Sequence, residues 1–205
     1  ASVNVSAIAA DRTYARRVRP PRTAYRHLLL RHNMHFAINS ALARGDAATA
    51  KRVAEQYRAE YLTGTIDPGS RLLGSSLYYT AGLHDDVEAV LALPEPEAAI
   101  DKAMRHYARG EALARRGDGG AARAEAAAIA ALRDGPSAPS LGQGGNLLAE
   151  IAQHVLEGRA AMLGGQHEAA ERAYRKAMAA QLRARFGNDP PLFHYSVRRS
   201  LAAAL

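Results

Sequence analysis

Two histidines, His32 and His35, are the first residues of the chain whose type and spacing could support chemistry. They lie three residues apart in the stretch HNMH, so on a helix both imidazoles face the same side. Such a pair could give two ligands to a metal ion or polar contacts to a bound carboxylate. The same residues could instead be structural, with each ring bonded to a backbone carbonyl or a neighbouring helix.

A metal centre requires more than this pair, because catalytic zinc and iron sites use a third protein ligand, often a carboxylate. The sequence also lacks HExxH, GxSxG and a strand-linked glycine-rich phosphate loop. His32 and His35 are therefore weak metal candidates, and neither a catalytic residue nor a cofactor is predicted. A metal-dependent enzyme using these histidines is retained as the alternative function.

The composition indicates helix, since Ala, Leu and Arg are abundant whereas Phe occurs three times and Trp is absent. The absence of cysteine excludes disulfides and thiolate metal sites. The net charge of +7 comes largely from one basic block, which comprises Arg12, Arg16, Arg17, Arg19, Arg22, Arg26 and Arg31. This block could bind phosphates or an acidic partner. Because no nucleic-acid-binding motif accompanies it, nucleic-acid binding is disfavoured.

An internal repeat is visible in GRAAMLGGQHEAAERAYRKA (158–177), where Gly158 and Gly165 are seven residues apart and Ala170 follows. The stretch GEALARRGDGGAARAEAAAI (110–129) has the same frame. The opening stretch fits the same frame, with a turn at Gly45 and with Asp46 able to cap the second helix. A weaker copy turns at Gly82, and Pro94 is expected to cut its second helix short. The frame predicts that Gly158 and Ala170 are buried where paired helices touch.

The frame predicts first helices near 27–43, 70–81, 98–116 and 145–163, and second helices near 47–62, 84–92, 119–132 and 167–185. Its turns fall at Gly45, Gly82, Gly117 and Gly165. The Gly-, Pro- and Ser-rich stretch 133–146 is predicted to be an inter-repeat loop. Asp189 and Pro190 predict the start of a last helix.

This pattern resembles the tetratricopeptide repeat, in which small residues let two helices approach each other. The segments AIAADRTY…HNMHFAINSALARGD and PPLFHYSVRRSLAAAL resemble a bacterial family of long tetratricopeptide proteins, whose corresponding stretches read AD..Y…HN.HF and PP.WYYPVRQSLGAAL. His194, Ser196 and Ala202 depart from that pattern. The resemblance implies an all-α fold, a single right-handed solenoid of antiparallel helix hairpins over residues 1–205, as part of a longer array.

The resemblance also implies a concave groove lined by fixed positions of each first helix. When the turn glycine is counted as position 15, groove positions 2, 5, 9 and 12 of the first hairpin are His32, His35, Asn39 and Leu42, and the first three form a polar stripe. We expect this polar stripe to face Tyr79 or Tyr107 of later repeats, whose groove positions also include Glu111. Glu111 is the one groove carboxylate that could complete a metal site. Met34 and Phe36 are expected to turn toward the core.

A second polar cluster, His194, Tyr195 and Arg198, lies near the start of the last predicted helix. An arginine beside a tyrosine and a helix N-terminus could hold an anion. The alternative is packing between helices together with a surface arginine.

These observations predict an interaction scaffold that binds a peptide, a protein segment or a small ligand in its groove. No membrane partner is predicted, because no apolar run approaches the ~18 residues that span a bilayer. Self-association through uncapped solenoid ends is a further expectation. The sequence leaves the compartment open, with the bacterial cytoplasm favoured.

Overall fold

The computed structural model describes residues 2–19, 29–184 and 191–205, and within those ranges the chain forms helices and no strand. The all-α prediction is therefore confirmed. The helices are α1 Ser2–Val18, α2 Leu30–Ala43, α3 Ala47–Tyr61, α4 Pro68–Leu73, α5 Ser75–His84, α6 Val87–Leu91, α7 Ala99–Arg115, α8 Gly119–Asp134, α9 Ala138–Leu163, α10 His167–Ala184 and α11 Arg198–Ala204. Among the described residues, no helix combines the length and the apolarity that crossing a membrane requires.

The chain divides into two compact units, residues 1–80 and 81–205, and the boundary falls inside α5. In the first unit α2 packs against α1 and α3, around a core that includes Met34, Ile38, Val53 and Tyr57. In the second unit α7 packs against α6, α8 and α9, while α9 also packs against α8 and α10, and α10 against α11.

One turn recurs three times, at Gly45, Gly117 and Gly165, whose φ angles are 72°, 88° and 67°. At each turn the amide after the glycine donates to the carbonyl five residues earlier, at 2.9–3.0 Å, and the glycine amide donates to the carbonyl three residues earlier. This is the Schellman pattern, which needs a left-handed residue and so favours glycine. The helices on either side, α2 with α3, α7 with α8 and α9 with α10, pack together.

Side-chain caps fix where the second helix of a pair begins. Asp46 accepts a hydrogen bond from the Thr49 amide at 3.0 Å, and Asp118 accepts one from the Ala121 amide at 2.9 Å. Satisfying these first-turn amides stabilises a helix by ~1 kcal/mol. The short helix α6 begins after Asp86, which caps it in the same way, and it ends before Pro94 as predicted.

Small residues lie where paired helices touch, as predicted for Gly158 and Ala170. Both residues are buried. A Cβ at Gly158 would lie 2.6 Å from Tyr174 Cζ, and one at Gly110 would lie 2.8 Å from Leu156 Cδ2. The contact between α9 and α10 therefore leaves no room for a side chain at position 158.

The turn predicted at Gly82 is wrong, because Gly82 lies inside α5, which continues to His84. A Cβ at Gly82 would lie 2.8 Å from Ala108 Cα. This glycine allows a close backbone approach between helices and does not reverse the chain.

The loop predicted over 133–146 is also wrong for most of its length. The helix α8 continues to Asp134 and α9 already begins at Ala138. Gly142 has φ 63° and ψ 172°, so the glycine-rich stretch forms a kink inside α9. One left-handed glycine redirects the helix here, and no long connector is needed.

The last helix begins later than the sequence suggested. Asp189 and Pro190 lie outside the described residues, and α11 begins only at Arg198. The side chain of Gln181 on α10 donates to the Tyr195 carbonyl at 2.7 Å and accepts from the Val197 amide at 2.9 Å. Backbone groups that a helix would use are thus bonded to α10.

The packing at Gly158 leads to a stability prediction. We expect Gly158→Leu to destabilise the second unit by ~1–3 kcal/mol, because the new side chain overlaps Tyr174. Thermal unfolding followed by circular dichroism should show a melting temperature lower by several degrees. The control is Gly120→Leu on α8, where the glycine is exposed and a Cβ meets only Asp118 Oδ1 at 3.7 Å. Equal melting of the two variants would contradict the assigned helix contact.

Candidate functional site

The two histidines of HNMH occupy different environments on α2. His32 is exposed and its ring lies against half-buried Phe36, with 4.5 Å between centroids. His35 is only 2% exposed, and the side-chain amide of Asn39 donates to its Nε2 at 3.1 Å. The prediction that His32, His35 and Asn39 line an open groove is therefore wrong for His35 and Asn39. Both side chains are buried, and they bond to each other across one turn of the helix.

Burial makes His35 a neutral structural group. Removal from water, and then the neighbouring His32, lowers the pKa of His35 to about 4. Met34 is fully buried as predicted, whereas Phe36 is not. Among the described residues no group of three or more His, Cys, Asp and Glu side chains could hold a metal ion. A ligand contact by exposed His32 stays a prediction.

Tyr79, expected opposite the histidines, is fully buried in the free chain. Burial raises the pKa of its phenol well above the ordinary value. A ligand could reach Tyr79 only if its surroundings moved, so a direct contact from this side chain also stays a prediction.

The second unit brings together four of the predicted residues: Tyr107, Glu111, His194 and Tyr195. At their centre Arg159 Nε on α9 donates to Glu111 Oε1 on α7 at 2.7 Å. The Glu111 side chain is only 3% exposed, whereas Arg159 is 31% exposed. Burial opposes the charge of Arg159, but the adjacent Glu111 carboxylate raises the pKa of the guanidinium above its ordinary value.

A chain of hydrogen bonds extends from this ion pair. The Tyr107 phenol donates to Glu111 Oε1 at 2.7 Å, and His194 Nε2 lies 3.4 Å from the same phenol oxygen. Because the phenol has a single proton and gives it to Glu111, the longer contact requires His194 to donate from Nε2. Burial, followed by the negative charge of Glu111, raises the pKa of Tyr107 well above its ordinary value.

His194 is kept neutral by its surroundings. Burial, then the positive charge of Arg159 and a contribution from His84, lowers the pKa of His194 to about 3. Its ring makes edge contacts with Tyr107 at 6.3 Å and with Tyr195 at 4.8 Å between centroids. A protonated imidazole would be repelled by the positive charge of Arg159 and would also be removed from water. Both effects favour the neutral form.

Tyr195 and Arg198 were predicted to act together, but they differ in exposure. The Tyr195 hydroxyl lies 2.9 Å from Ser200 Oγ, and burial raises the pKa of the phenol. Arg198 is exposed at the first residue of α11. The anion-holding role predicted for Arg198 stays a prediction.

A cavity of about 310 Å³ opens beside the ion pair, and we call it the Arg159 pocket. It lies among α7, α9, α10 and α11, and its lining residues are Glu111, Ala114, Arg115, Arg159, Met162, Leu163, Tyr174, Ser200 and Ala203. The lining combines two guanidiniums and one carboxylate with apolar side chains, of which Leu163 is 47% exposed. Burial raises the pKa of Tyr174 to about 12, so its hydroxyl stays protonated.

Arg159 was not predicted from the sequence, although a signal for it was present. Glu111 precedes the turn glycine Gly117 by six residues, and Arg159 precedes Gly165 by six. Opposite charges at the same position of two successive predicted repeats could have suggested the pair. The missing information was that α7 and α9 pack against each other.

Comparisons of the chain with protein families, with curated proteins and with solved structures found no match.

The neutral state of His194 predicts a pH dependence. Its folded pKa, about 3, lies below the ordinary value of ~6.5, so the unfolded chain binds more protons between these values and acid destabilises the fold. From pH 7 to pH 5, we expect His194→Gln to lose about 2 kcal/mol less stability than the original chain.

Urea unfolding at both pH values measures this difference. The control is His167→Gln, which changes an exposed histidine at the start of α10. An acid-induced loss as large in His194→Gln as in the unchanged chain would show that His194 does not occupy the assigned environment.

Proposed function

We propose that the chain is a tetratricopeptide-like interaction module that binds a peptide segment of another protein, and that the Arg159 pocket is a recognition site. One observation carries the proposal. The pocket is lined by Glu111 and Ala114 from α7 and by Arg159 and Met162 from α9. These are positions 9 and 12 of two successive hairpins in the repeat frame, the positions expected to line a ligand groove.

The recurring turn supports the repeat interpretation. Three Schellman turns with left-handed glycines separate pairs of packed helices. Glycines seven residues before two of these turns, Gly110 and Gly158, lie in tight contact with other helices. Small residues at helix contacts and glycine at the turn are the features that a helical repeat requires.

The chemistry of the pocket indicates the kind of segment that would fit. Its volume is at the lower end of the ~300–1,000 Å³ typical of ligand sites, so it suits one or two side chains. Arg115 and Arg159 outnumber the one carboxylate, and Met162 with Leu163 offers apolar surface. A peptide with an acidic residue beside an apolar residue matches this lining.

Two alanines on α11 allow a matched test. Ala203 and Ala202 are both exposed, but only Ala203 is among the residues lining the pocket. Peptides are first selected on the unchanged chain from a displayed library of random sequences. We expect Ala203→Trp to weaken their binding by about tenfold or more, because the indole fills the cavity, and Ala202→Trp to leave it unchanged.

Fluorescence anisotropy of labelled peptides measures the affinities, and circular dichroism verifies that both variants are folded. If no peptide is selected, or if the two tryptophan variants bind equally well, the Arg159 pocket is not the recognition site.

A further inference from the structure

A second cavity lies in the first unit, between α1 and the end of α3 with the loop that follows. Its volume is about 1080 Å³. Three arginines of α1, namely Arg12, Arg16 and Arg19, line it together. Their spacing of four and then three residues places them along one side of the helix. We call this the Arg16 cavity.

The carboxylates of this cavity already have cationic partners. Arg12 lies 3.5 Å from Glu60 Oε2 and donates to Gln56 Oε1 at 3.3 Å. Asp67 pairs with Arg31 at 2.9 Å. The group contains four arginines, counting Arg31, and two carboxylates. It therefore has a net charge of two positive units.

Arg16 and Arg19 carry this excess charge at the cavity wall. Arg16 donates to the neutral hydroxyl of Thr13 at 3.0 Å, and both arginines are exposed. The facing loop contributes two exposed hydroxyl groups, Thr63 and Thr65. Guanidiniums opposite hydroxyls can bind a phosphate on one side and a polar organic group on the other.

We infer that the Arg16 cavity binds a small organic phosphate, with the phosphate at Arg16 and Arg19. A phosphate monoester carries a charge of about −1.5 to −2 at neutral pH, which matches the charge of Arg16 and Arg19, neither of which pairs with a carboxylate among the described residues. A bare phosphate would leave most of the cavity empty, so an organic group is expected beside the two threonines. The carbonyl end of α1 opposes an anion, so the arginines must provide the attraction and added salt should weaken binding.

The test uses calorimetric titration of the chain with matched probes: adenosine 5′-monophosphate against adenosine, and ribose 5-phosphate against ribose. Inorganic phosphate is titrated separately. We expect the phosphorylated member of at least one pair to bind, its parent not to bind, and inorganic phosphate to bind more weakly. Failure of both phosphorylated probes to bind better than their parents at millimolar concentration would overturn the inference.

The backbone at Arg19 provides a clean variant. Its φ is 50°, a left-handed conformation that glycine adopts easily, so Arg19→Gly removes the guanidinium and preserves the end of α1. We expect binding to weaken by about tenfold or more in Arg19→Gly and in Arg16→Ala.

The charge-matched control is Arg17→Ala, because Arg17 is exposed on the same helix but is not among the residues lining the cavity. Unchanged binding by Arg17→Ala is the expected result. An equal loss in Arg17→Ala would show a general attraction to a basic surface and would overturn the assigned site. The peptide experiment on the Arg159 pocket is independent of either outcome.

Discussion

The ion pair between Glu111 and Arg159 determines how the polar side chains of the second unit are arranged. A carboxylate that is almost completely buried would cost several kcal/mol without a partner, so Glu111 requires the guanidinium beside it. The same carboxylate accepts the Tyr107 proton, and this directs His194 to donate to the phenol oxygen. The positive charge of Arg159 also helps to keep His194 neutral.

The pair can form only because the helix backbones approach closely. The Leu156 side chain of α9 occupies the space beside Gly110, and the Tyr174 side chain of α10 occupies the space beside Gly158, so these glycines let α7, α9 and α10 pack closely. Left-handed glycines at 117 and 165 then return the chain after each first helix. A buried ion pair adds little net stability compared with an apolar contact of the same size. We therefore interpret Glu111 and Arg159 as fixing the shape and charge of the Arg159 pocket, while the packed small residues provide the stability.

Local features were predictable from the sequence, whereas contacts between distant segments were not. The turns at Gly45, Gly117 and Gly165 and the Asp46 cap depend on a few neighbouring residues, and all were found. The burial of His35 depends on its surroundings in the folded unit, and Gly82 could equally serve a turn or a close contact. Arg159 lies 48 residues from Glu111, so their matching positions in the repeat frame predict a pair only once the packing of α7 against α9 is known.

A double-mutant cycle on Glu111 and Arg159 tests most directly whether this pair organises the second unit. Hydrogen exchange of the α7 and α9 amides reports the stability of that unit separately from residues 1–80. We expect Glu111→Gln and Arg159→Met each to destabilise these amides, and the double variant to lose little more than either single one, with a coupling energy of ~1.5 kcal/mol or more. Additive losses, with a coupling energy near zero, would show that the two side chains do not act as a pair.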